Sequence, residues 1–127
     1  MLVSLVAVAV GGALGCICRW LLGIGLNLLF PAIPPGTLAA NLIGAYLVGM
    51  ALAYFGTSPD VAPQWRLLVI TGFLGGLTTF SSFSGETAVL LRDGKLAMAG
   101  AAIGLHLGGS LLLTFAGMAT ASVLRRH

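Results

Sequence analysis

Charge is what this chain has least of. Only six of its 127 residues are Lys or Arg and three are Asp or Glu, whereas a soluble domain is about one-quarter charged. Six basic residues spread over the whole length make no patch that could follow a phosphate backbone, which excludes nucleic acid as a partner. Cysteine is nearly missing too: Cys16 and Cys18 lie two apart in an apolar run. That spacing suits neither a four-ligand zinc site nor an unstrained disulfide, so both read as small apolar fillers. No nucleophile, base and orienter set is present, and an enzyme is not expected.

What fills the chain is apolar. Hydrophobic residues make up 58% of it and the mean hydropathy is +1.08, which places it in a membrane. Crossing about 30 Å of hydrocarbon takes roughly 20 helical residues, and four stretches qualify: 2–26, 37–55, 67–91 and 96–124. Short breaks separate them, at Pro31 to Gly36, Gly56 to Pro63 and Arg92 to Lys95. Connections this short make consecutive helices antiparallel, so the expected fold is a single all-α membrane domain of four helices. The first run has no basic segment ahead of it and is followed by further apolar runs, so a retained first helix is expected rather than a signal peptide.

Basic residues set orientation. One side would carry Arg66, Arg125 and Arg126, the other Arg92 and Lys95, joined by Arg19 if it reaches outward. This bias is too weak to choose a direction, so copies are expected to insert both ways and pair as an antiparallel dimer. Gly72 and Gly76, and again Gly100, Gly104 and Gly108, recur every four residues and allow close backbone approach. Packing within one chain and a seam between chains are both open to them.

Polar residues inside apolar runs need a partner or a cavity, because an ionisable group at membrane depth costs about 2.5 to 3.5 kcal/mol on insertion scales. Arg19 either snorkels to headgroups or forms a positive lure at the mouth of an anion pathway. Glu86, one turn after Phe83, either has a structural role, paired with Arg19 or a lysine or hydrogen-bonded, or belongs to a pathway as a proton-coupled group. His106, Ser110 and Thr114 are spaced by four and form one polar stripe, read as a pathway lining, with a hydrogen bond at a dimer contact as the alternative for His106. Asn41 either makes an interhelical hydrogen bond or offers a donor to an ion.

The densest cluster is Thr71 to Glu86, TGFLGGLTTFSSFSGE. Irregular or polar chain at membrane depth is tolerated only where protein covers it or a cavity receives it. Phe80 and Phe83 sit among Thr78, Thr79, Ser81 and Ser82, and the positive edges of aromatic rings can favour an anion without adding a fixed charge.

GGALGCICRW at 11–20, GTLAANLIGAYLVG at 36–49 and GFLGGLTTFSSFSGE at 72–86 resemble the three signature stretches of the Fluc fluoride channels, also called the CrcB family. The resemblance implies a passive fluoride-exporting channel in a prokaryotic-type plasma membrane. It also implies a dual-topology antiparallel homodimer with two pores, each built from both subunits. Phe80 and Phe83 would form an aromatic box, Asn41 would be the pore asparagine, and Arg19 would close the first motif. Ser110 and Thr114 would be a hydroxyl track; the hydroxyls of Thr79 and Ser81, as donors that could replace an ion's water, are read into the same pathway on their chemistry. The third helix would be broken near 75–79, and the Gly75 and Thr78 carbonyls of both subunits would hold a structural sodium ion.

Two rivals carry different chemistry. A small multidrug exporter needs a membrane-embedded acid, characteristically in the first helix, where this chain has Arg19 and no carboxylate. A non-transporting assembly subunit would use its polar residues only to bind partners.

Overall fold

The computed structural model describes all residues, Met1–His127. Four spans are long and apolar enough to cross a membrane: α1 (Leu2–Leu29), α2 (Pro35–Gly56), α3 (Pro63–Arg92) and α4 (Leu96–Arg125). Pro35 and Pro63 each stand in the first turn of their helix, where a missing N–H costs nothing. Both helices therefore start earlier than the expected 37 and 67, because the prolines belong to the helices and not to the connections.

Small residues decide how the spans pack. Gly11 faces the Leu68 carbonyl and Gly15 faces the Phe73 carbonyl and the Leu77 amide, so α1 runs alongside the first half of α3 in the same direction. A Cβ at Gly15 would collide with that backbone. On the other flank Gly49 meets the Thr114 carbonyl and Gly117 meets the Tyr46 carbonyl, which lays α2 parallel to α4. Tyr46 Oη donates to Thr120 Oγ1 at 2.9 Å along the same seam. Gly36 approaches the Leu22 carbonyl and Arg66 reaches the Phe55 carbonyl, so α2 runs against both α1 and α3.

Gly72 and Gly76 thus pack within the chain, against Gly11, Gly12 and Cys16, while Gly100, Gly104 and Gly108 have open space where a side chain would lie. Only 22 of 127 residues are buried, and large apolar side chains cover the outside, as in a protein whose solvent is lipid. The main core joins Ala40, Ala51 and Phe55 of α2 to Leu74 and Leu77 of α3.

Two features depart from regular α-helix. Residues Leu67–Leu74 and Gly104–Gly108 are π-helical, a wider winding that is rare and often found at functional positions. Within α3, Thr78 (φ −86°, ψ 155°) and Thr79 (φ −150°, ψ 114°) are extended. The extended chain is confined to these two, since Gly75–Leu77 is helical and helix resumes at Phe80–Arg92. Both threonines are β-branched and stiff in a helix. The Thr79 hydroxyl accepts the Ser82 amide at 3.1 Å, which caps the second helical segment.

Candidate functional site

The extended pair is held from across the bundle. Asn41, two turns into α2, accepts the Thr79 amide on Oδ1 at 2.7 Å and donates from Nδ2 to the Thr79 carbonyl at 3.0 Å. One carboxamide thereby replaces both helical hydrogen bonds that Thr79 has given up, which matters where lipid can replace neither. Because a backbone N–H can only donate and a carbonyl only accept, this pairing also fixes which end of the amide is which. Nδ2 then lies 3.0 Å from His106 Nδ1. An amide nitrogen can only donate, so in this contact Nδ1 is the acceptor.

His106 is 4% exposed, and the Phe83 ring lies on it with centroids 4.6 Å apart and planes at 32°. Phe80 meets Phe83 edge-on, at 5.8 Å and 66°. Phe83 is buried, whereas Phe80 is 73% exposed on the open side. Together with Asn41, Thr79, Ser110 and Thr114 these rings line an open cavity of about 470 Å³, whose wall also includes Gly75 and Thr78.

The polar stripe on α4 divides by role. Thr114 Oγ1 donates to the Ala45 and Ser110 carbonyls, at 3.1 and 2.9 Å, so its proton is engaged within the protein. The Ser110 hydroxyl has no partner in the chain and borders the cavity.

A second cavity of about 580 Å³ shares Thr79 with the first; Arg19, Asn27, Thr37, Ser82 and Glu86 are the other polar residues of its wall. Arg19 turns inward, with Nε donating to the Gly76 carbonyl at 3.0 Å and Nη2 lying 3.9 Å from Cys16 Sγ. Glu86 is not paired with Arg19 or a lysine. Its Oε1 instead accepts from Thr37 Oγ1 at 2.9 Å, and the ion pair found in the chain is Arg92–Asp93. The hydrogen bond has a geometric cause: the first turn of α2 crosses α3 at Glu86, which puts the Thr37 hydroxyl within reach. Ser81 is exposed and reaches Thr79 Oγ1 at 3.2 Å without lining either cavity. Cys16 and Cys18 are both exposed free thiols, and Cys16 packs against Gly76.

Reading the sequence missed Thr37, and with it Asn27, whose Oδ1 accepts the Thr37 amide at 3.2 Å. An Asn eight residues ahead of a Pro-Gly helix start is the only trace of that cap in the sequence.

The extended pair also disturbs the Gly75 and Thr78 carbonyls. Their ordinary helical partners are the amides of Thr79 and Ser82, and both are taken, by Asn41 Oδ1 and by Thr79 Oγ1. Both residues border the first cavity.

The chain matches the family described as CrcB-like protein, Camphor Resistance (CrcB), over residues 6–118. It is 58% identical over 126 residues to the fluoride-specific ion channel FluC of Tolumonas auensis, covering 99% of both chains. Its identity to the protein of that name from Chromobacterium violaceum is 58% over 123 residues, covering 97% of this chain and 98% of the other. With that from Paraburkholderia phymatum it is 50% over 126 residues, covering 99% and 100%.

Proposed function

Since the chain belongs to the CrcB-like family, we propose that it is a passive fluoride-selective channel of the plasma membrane, and not an enzyme. The observation that carries the reading is the cavity in which the edge-on rings of Phe80 and Phe83 lie beside the unpartnered Ser110 hydroxyl.

Fluoride is small and strongly hydrated, and stripping its water in a low-dielectric interior costs on the order of tens of kcal/mol unless donors replace the shell. Arg19 draws the ion into the polar cavity it lines. Thr79, shared by both cavities, marks the passage toward the rings. The positive ring edges and the Ser110 hydroxyl then supply contacts in turn, firm enough to admit the ion and weak enough to release it. Chloride is larger and cannot reach the same donors together. Asn41 and Thr114, whose protons are engaged within the protein, shape this wall, and Asn41 holds the extended pair in place.

The active form is an antiparallel, dual-topology homodimer with two pores. Two exposed features support a second copy: the Phe80 ring on the cavity's open side, and the glycine face of α4 at Gly100, Gly104 and Gly108. A two-fold axis would bring the Gly75 and Thr78 carbonyls of both subunits together as four hard ligands for a structural sodium ion. Bound there, sodium would supply fixed positive potential near the anion path.

Purified protein in fluoride-loaded liposomes, read with a fluoride-selective electrode, tests the function. Efflux should outrun that of chloride-loaded vesicles by orders of magnitude. Fluoride retention equal to that of protein-free vesicles would exclude it.

A further inference from the structure

Three span ends meet away from both cavities: α2 ends at Gly56, α3 begins at Pro63 and α4 ends at Arg125. Two arginines converge on that junction. Arg66 Nη2 donates to the Phe55 carbonyl at 2.6 Å, and Arg125 Nη2 donates to the Tyr54 carbonyl at 2.7 Å and to Ser58 Oγ at 2.9 Å. These carbonyls belong to consecutive residues in the last turn of α2, where regular helical partners run out and only the long bonds from the Thr57 and Ser58 amides, at 3.3 and 3.4 Å, remain. The two guanidinium groups are therefore held at one helix end. Each also lies over a ring of the same dipeptide, Arg66 at 5.7 Å from the Phe55 centroid and Arg125 at 5.2 Å from that of Tyr54. Stacking and capping together fix both heads in place.

An arginine carries five N–H donors in a planar fork, and the caps occupy only the Nη2 groups. Nε and Nη1 of both residues have no partner in the chain. No carboxylate answers the two charges either. Asp60 lies in the adjoining connection without forming an ion pair, and Arg92–Asp93 is at the opposite end of the bundle. A separate cavity of about 470 Å³ opens here, walled by Tyr54, Phe55, Asp60, Val61, Ala62 and Trp65. Trp65 and Tyr54 remain about half exposed.

Span ends lie at headgroup depth, Tyr and Trp favour that level, and basic pockets between spans accept acidic headgroups. Paired guanidinium forks match phosphate oxygens in geometry as well as charge. We propose that Arg66 and Arg125 bind the phosphate of an anionic glycerophospholipid, with its glycerol and upper acyl chain lying against Tyr54 and Trp65. A zwitterionic choline headgroup would bring its own cation toward the same two arginines. The site is independent of which ion the channel carries.

Native mass spectrometry of the full chain in detergent tests this with three probes: dioleoylphosphatidylglycerol, dioleoylphosphatidylcholine and inorganic phosphate. The wild type should retain the glycerol lipid about tenfold more tightly than the choline lipid. Arg66→Gln with Arg125→Gln should abolish that preference, and the paired Lys replacements should restore it in part, since charge returns without the fork. Equal retention of the two lipids by wild type, or an unchanged preference in the Gln double variant, would overturn the proposal. Displacement of the lipid by millimolar inorganic phosphate would overturn it in favour of a soluble anion. If the double variant fails to fold, the wild-type lipid comparison and the phosphate competition still decide.

Discussion

Asn41 and Thr79 are joined like two paired amides: one side chain accepts the backbone N–H at 2.7 Å and donates to the carbonyl of the same residue at 3.0 Å. Removing that brace strands two backbone groups at membrane depth, where each unsatisfied group costs about 1 to 3 kcal/mol. Asn41→Ala should therefore lower thermal stability in detergent and cut fluoride efflux at least tenfold. Asn41→Asp keeps the acceptor for the Thr79 amide but loses both donated bonds, so its stability should fall between the two. A melting temperature unchanged in both variants would show that the extended pair supports itself.

The rings Phe80 and Phe83 differ in burial, which separates function from folding. Phe83 is 8% exposed and lies on His106, so Phe83→Ala should lose efflux together with about 3 kcal/mol or more of stability, as for other buried aromatics. Phe80 is mostly exposed within the chain, so Phe80→Ala should slow efflux while leaving secondary structure and expression near wild type. Electrode traces on liposomes and circular dichroism measure the two effects. Wild-type efflux in both variants would remove the rings from the pathway.

The four spans were legible in the sequence because hydropathy over a 20-residue window depends on neighbouring residues alone. The same holds for the cluster around Thr78 and Thr79, where hydroxyls and glycines interrupt an apolar run. What could not be read was set by distances between helices. Glu86 meets Thr37 and not Arg19 because of where α2 crosses α3. Arg19 reaches the Gly76 carbonyl because Gly11 and Gly15 let α1 settle closely against α3. Asn41 could be read as a brace or as a donor, and its contacts with Thr79 and His106 depend on three helices meeting at one level. The π-helical windings at Leu67–Leu74 and Gly104–Gly108 left no compositional mark at all.

Glycines in identical apolar settings should respond oppositely to one added methyl group. A Cβ at Gly15 would strike the Phe73 carbonyl and the Leu77 amide, and backbone cannot yield cheaply, whereas at Gly104 nothing lies within 4 Å. Gly15→Ala should lower the yield of folded protein sharply, by overpacking worth about 1 to 3 kcal/mol. Gly104→Ala should leave the single chain intact and weaken only association between copies. Size-exclusion chromatography with light scattering separates the cases, and a fully dimeric Gly104→Ala would remove that face from the seam.

The Gly75 and Thr78 carbonyls have lost their helical amides to Asn41 and Thr79, so a cation held by them would serve as a fixed part of the wall. A structural ion and a transported ion behave differently when sodium is replaced by a bulky organic cation. A structural ion enclosed between two subunits leaves only when they loosen, so fluoride efflux should persist at first and then decline over hours, together with the dimer fraction seen by light scattering. Restoring sodium should recover both. A transported ion would instead set a membrane potential at once when a sodium gradient is imposed across channel-containing vesicles, and that response would rule out a structural role for these carbonyls.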